Sequence, residues 1–92
     1  MDAITDHVRR IISETIHYDI SLVAGDDIEK QCYVRFAAHE MINALSNTDI
    51  PSLIVIESFR DRMYEYSKLN KKAAYIFDSG REIAEYIVNI LT

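Results

Sequence analysis

Turn formers and sulfur are scarce in this chain, and each scarcity removes a class of protein. One proline and two glycines in 92 residues leave too few breakers for an all-β fold, whose many short strands each need a turn. A single cysteine, Cys32, allows neither an internal disulfide nor a cysteine-built zinc site. Apolar runs are short: Leu53-Ile54-Val55-Ile56 ends at Glu57, far below the roughly 20 residues that cross a bilayer. Bases are outnumbered, ten Lys and Arg against fifteen Asp and Glu, for a net charge of −5. Affinity for nucleic acid begins with neutralising phosphates, so no nucleic-acid partner is expected. The opening residues Met1-Asp2-Ala3-Ile4-Thr5-Asp6 lack the basic start and apolar run of a secretory signal, and a reducing cytoplasm is the expected location.

What remains is 49% apolar and 27% charged, the composition of one globular domain spanning residues 1–92. Its strongest pattern lies at the end. Ala73, Ile76, Gly80, Ile83, Ile87 and Ile90 recur at spacings of three and four, which is one face of a helix. Such a face must be covered, so packed helices are predicted: a compact, antiparallel, all-α four-helix bundle with helices at about 2–16, 27–46, 51–70 and 72–91.

In the first helix, Ile4, Val8, Ile11, Ile12 and Ile16 form the inward stripe, and this helix is expected to be the most loosely attached. Residues 17–25 stay open between an extended segment and a ragged continuation, with Gly25 as a break. Asp26 or Asp27 is the natural cap of the second helix. That helix carries Ile28, Cys32, Val34, Phe36, Ala38, Met41, Ile42 and Leu45 over more than half its circumference, so it is predicted to be the most buried. The third starts with Pro51 in its first turn, turns Leu53, Ile56, Phe59, Met63 and Tyr66 inward, and ends at Asn70 in a left-handed cap. In the fourth, Ser79-Gly80-Arg81-Glu82 resembles a capping box, but Ile76 and Ile83 keep phase across it. A continuous helix in which Gly80 admits a close neighbour is therefore preferred.

Candidate chemistry is thin. His39-Glu40 begins a zinc-protease helix motif, yet the second histidine, one turn on, is Asn43, so no metal is expected. His39 is expected to be half-buried, and Cys32 to be a small hydrophobe on an apolar face. No nucleophile elbow or phosphate loop is present, and neither catalytic residue nor cofactor is assigned. Arg35 is set among core positions, making Arg35 and His39 the centre of an alternative reading as a small-ligand binder or enzyme.

Six tyrosines are the richer signal. Tyr75 and Tyr86 share the flank beside the isoleucine series, and Tyr64 stands one turn from Arg60. Tyrosine with nearby arginine is the usual chemistry of an interface core. The leading expectation is a small non-enzymatic cytoplasmic module that binds another protein, or itself, through Tyr64, Tyr75 and Tyr86, oriented by Arg60 and Arg81. A second alternative is an obligate homodimer that completes one core from two copies.

Overall fold

Gly25 sets the first turn of the chain. In the computed structural model, which describes residues 3–92, its backbone stands at φ 59°, ψ −145°, where a Cβ is strained and glycine is not. Before it run α1 (Ala3–Tyr18) and the short α2 (Ile20–Ala24). After it come α3 (Ile28–Ser46), α4 (Ser52–Leu69) and α5 (Ala74–Leu91), with a 3-10 turn at Lys71–Ala73 leading into α5. The described residues thus form an all-α bundle of four long helices and one short one. The expected helix start at residue 2 lies outside them.

The open stretch 17–25 resolves as helix because it holds no breaker before Gly25. Asp19 N–H still donates to Thr15 O at 2.9 Å, and Asp19 O already accepts from Leu22 N–H at 2.9 Å. The chain kinks there without leaving helical pairing. Asp27 caps α3 by accepting from Lys30 N–H at 3.1 Å, and Gln31 Nε2 donates to Gly25 O at 2.7 Å, tying the cap to the turn.

Two terminal details differ from the sequence reading. Pro51 is the N-cap of α4 and lies just outside the first turn; its carbonyl accepts from Val55 N–H at 3.1 Å. Asn70 closes α4 at φ −122°, so no left-handed cap forms. The chain does not need one, because Ala73 N–H bonds back to Asn70 O at 3.0 Å and winds directly into α5.

α5 passes through Gly80 without a break. The Ser79 hydroxyl donates to Tyr75 O at 2.7 Å, one turn back, and does not cap a new helix. A Cβ at Gly80 would lie 3.0 Å from Met63 Sδ and 3.4 Å from Ala37 Cβ, so α3, α4 and α5 meet at this residue. Tyr66 meets Phe77 and Met63 meets Gly80, which makes α4 and α5 antiparallel.

The core is drawn from every long helix: Val8 and Ile12, Val34, Ala38 and Met41, Ile56 and Phe59, Ile83 and Ile87. α5 packs mainly on α4 and then on α3, as its isoleucine face requires, while α1 leans mainly on α3. The buried residues of α3 are Val34, Ala37, Ala38, Met41 and Leu45, and α5 buries more positions than α3 does. Ile28, Cys32 and Phe36, expected inside, lie on the opposite side and are exposed. They recur every four residues, as a helix face does, but among the described residues nothing covers them. α3 is therefore apolar on two faces and covered on one. The series on α5 also runs out before its end, since Ile90 is 48% exposed. Ile4 and Tyr66 are exposed rather than inward.

Candidate protein-binding groove

The uncovered side of α3 borders a half-open groove of about 500 Å³ between α3 and α4, floored by α5. Its α3 wall is built from Tyr33, Phe36, Glu40, Asn43 and Asn47, residues three or four apart that line one side of the helix for about 21 Å at 1.5 Å per residue. Its α4 wall is Phe59, Arg62, Met63 and Tyr66. Ile76, Phe77 and Gly80 of α5 make the floor together with Ala37 and Ala44. The groove exists because α3 and α4 each pack on α5 more than on one another. Small residues at positions 37, 44 and 80 keep it from filling.

Its ends differ in chemistry. At one end Tyr66 packs on Phe77 with ring centroids 5.5 Å apart, near Tyr33 and Phe36. At the other the amides of Asn43 and Asn47 lie on the wall, and Asn47 Nδ2 donates to Asn43 O at 2.9 Å. Between them stand one acid, Glu40, and one base, Arg62, whose guanidinium lies 5.9 Å from the Phe59 ring centroid.

The sequence-selected residues fall on other surfaces. Tyr64 and Arg81 come together: the Arg81 guanidinium lies 5.9 Å from the Tyr64 ring centroid, and Lys68 Nζ lies 4.2 Å from it. Arg81 also reaches Glu85 at 3.2 Å and Asp78 at 3.8 Å, and Arg60 pairs with Asp61 at 3.2 Å. Tyr75 is on the opposite flank of α5, against α3. Its hydroxyl donates to Glu29 Oε1 at 2.9 Å, and Tyr33 O–H donates to the same oxygen at 3.1 Å. The Tyr75 hydroxyl 3.5 Å away, with the Glu29 carboxylate and some burial, pushes the Tyr33 hydroxyl pKa well above its ordinary value. One turn on, Lys30 Nζ lies 2.6 Å from Glu82 Oε2, close enough for an ion pair though not aligned as a hydrogen bond. Tyr86 is partly buried against the core. Of the five candidates, the structure brings Tyr64 and Arg81 together and sets Tyr75 apart from them.

Arg35 and His39 are both exposed, and neither lines the groove. The expected half-burial of His39 does not occur, because position 39 points away from the covered face of α3. Among the described residues, no three His, Cys, Asp or Glu side chains are placed to hold a metal ion, and no helix is long and apolar enough to cross a membrane.

Phe36 and Tyr66 were expected inward, and Arg62 was not singled out as a site residue. The available signal was the breadth of the apolar arc on α3, too wide for one buried stripe. Compared with known proteins, the chain matches no family, no curated sequence and no solved structure. Its function is read from its own groove.

Proposed function

We propose that this chain is a non-enzymatic, cytoplasmic protein-binding module that receives an apolar helix of a partner in the groove between α3 and α4. The observation that carries this reading is the pairing of an apolar, small-residue floor with aromatic lips left in water. Phe36 is 67% exposed and Tyr66 43% exposed beside Ala37 and Gly80, which are buried at the bottom. A concave, aromatic-lipped slot, about four turns long on its α3 wall and two on its α4 wall, matches the way amphipathic helices are held, by apolar anchors three and four residues apart. Exposed aromatic residues of this size are also the type that dominates binding energy when covered. The cytoplasmic assignment rests on the lone, exposed thiol of Cys32.

One copy already covers Ile83 and Ile87, so the isoleucine series gives no reason for a second copy to complete the core. The reading therefore favours a partner of different sequence over obligate self-association.

The test is a comparison of exposed residues. Phe36→Ala and Tyr66→Ala each weaken capture of the native partner at least tenfold, about 1.4 kcal/mol, and leave the thermal midpoint within a few degrees. Tyr64→Ala, on the far flank, leaves capture unchanged. Equal losses at Tyr64 and Phe36 contradict the groove and favour the tyrosine flank with Arg60 and Arg81.

A further inference from the structure

The groove carries two charges on its two walls, and neither has an ion-pair partner among the described residues. Glu40 is exposed on the α3 wall and makes no ion pair among the described residues. Arg62, on the α4 wall, is stacked toward Phe59 and likewise has no carboxylate partner. The nearest acid ahead of it on its own helix, Glu65, lies 4.0 Å from Lys68. Elsewhere the bases that border α5 are matched: Lys30 with Glu82, and Arg81 with Asp78 and Glu85. Arg10, Arg35, Lys71 and Lys72 also make no ion pair among the described residues, but they are exposed and do not line the groove. An acid and a base facing one another across an apolar floor form a polarised slot.

We propose that its occupant is an amphipathic helix of another protein with an acidic residue on one flank of its apolar stripe and a basic residue on the other, set against Arg62 and Glu40, which together fix the direction in which that helix lies. This rests on the groove reading above and adds the chemistry of the partner. A helix is the occupant because both walls are helices, about four turns of α3 and two of α4, and the floor between them is apolar. Reversing a helix end to end while its stripe still faces the floor exchanges its two flanks. Only one direction then puts the carboxylate on the Arg62 side, and the wrong direction meets two like-charge contacts.

A second copy is a poorer fit. The exposed stripe beside the groove that it has to offer is Ile28, Cys32 and Phe36 of α3. Laid into the groove across a dyad running along it, that stripe brings Glu40 of both copies together. The charges favour a partner whose two flanks differ in sign.

The probes are three synthetic peptides of roughly 18 residues, five turns, with the same leucine stripe. One has glutamates on one flank and lysines on the other, one has glutamates on both, and one has lysines on both. Each is titrated into the whole protein at low salt and followed by the backbone amide resonances. The mixed peptide should bind about fivefold more tightly than either like-charged peptide, the effect of two exposed charge pairs. With a nitroxide on its N-terminus, it should broaden one end of the groove, either that of Tyr33 and Phe77 or that of Asn43 and Asn47. In the double variant Glu40→Lys with Arg62→Glu, the same peptide should keep its affinity and broaden the opposite end. Both substitutions are at exposed positions and leave the core intact.

Equal binding of all three peptides, or an unchanged direction in the double variant, overturns the charge inference and leaves the groove reading standing. Absence of any shift at groove resonances with every peptide removes the groove reading itself. Groove resonances that move with the protein's own concentration assign the groove to a second copy and overturn the inference.

Discussion

Ile87→Ala should lower the unfolding free energy by about 3–4 kcal/mol, while Ile90→Ala, three residues on in the same series, should cost less than about 1 kcal/mol. Ile87 is 0% exposed among Ile83, Ala84 and Val88, all buried, whereas Ile90 is 48% exposed near the end of α5. Truncating a fully buried isoleucine loses its transfer free energy and leaves a cavity that packed helices refill only in part. A domain of this size has a total stability of only about 5–14 kcal/mol, so the first substitution removes a large share of it. Urea titrations followed by helical circular dichroism separate the two, through a fall in midpoint at unchanged slope for Ile87→Ala. Equal losses at the two positions contradict the burial pattern on α5.

Gly80→Leu should destabilise by about 2 kcal/mol or more, whereas Gly80→Ala should fall within about 1 kcal/mol of the native protein. Alanine gains about 1 kcal/mol of helix propensity over glycine. Its Cβ, however, comes within 3.0 Å of Met63 Sδ, so that thioether has to give way. Met63 can do so, because it is unbranched, only partly buried and bordered by the groove. Leucine adds atoms beyond Cβ, with Ala37 Cβ at 3.4 Å on the other side, and the junction of α3, α4 and α5 has to open. The same displacement drives Met63 into the groove, so partner binding should fall in both variants, and more in Gly80→Leu. Chemical denaturation gives the stability order. A Gly80→Leu protein as stable as Gly80→Ala contradicts the close approach of the three helices.

These two residues also mark how far the sequence could be read. The phase of α5 was legible because Ile76, Ile83 and Ile87 are large, branched and regularly spaced, and a continuous helix through Gly80 follows from that phase. The cap at Asp27 and the turn at Gly25 were legible because their backbone chemistry is local. In α3 the helix and its buried Val34, Ala38, Met41 and Leu45 were legible, but the uncovered side was not, because Ile28, Cys32 and Phe36 announce an apolar face that stays in water. Periodicity shows that a face is apolar; it does not show that anything covers it.

The groove was illegible for a related reason. Its residues come from three helices, and its width depends on how far apart α3 and α4 stand on α5, a distance that no single stretch of sequence encodes. Tyr64 and Tyr75 were read as one candidate surface because Tyr75 borders the isoleucine series and Tyr64 holds a similar flanking position on the helix before it. Their helical phases set them on opposite flanks of α5, one beside Arg81 and Lys68, the other beside Tyr33 and Glu29. The short α2 was left open because residues 17–24 contain neither a strong helix pattern nor a breaker, and packing on α3 decides their form.

Placing a photo-crosslinking residue at position 36, and separately at position 22, in the native host tests the central claim most directly. Phe36 and Leu22 are similarly exposed, 67% and 68%, but only Phe36 borders the groove. A single partner crosslinked from position 36 and absent from position 22, with the attachment mapping to one helical segment of that partner, is the predicted result. Crosslinking from both positions alike, or from position 22 alone, contradicts the groove as the binding surface.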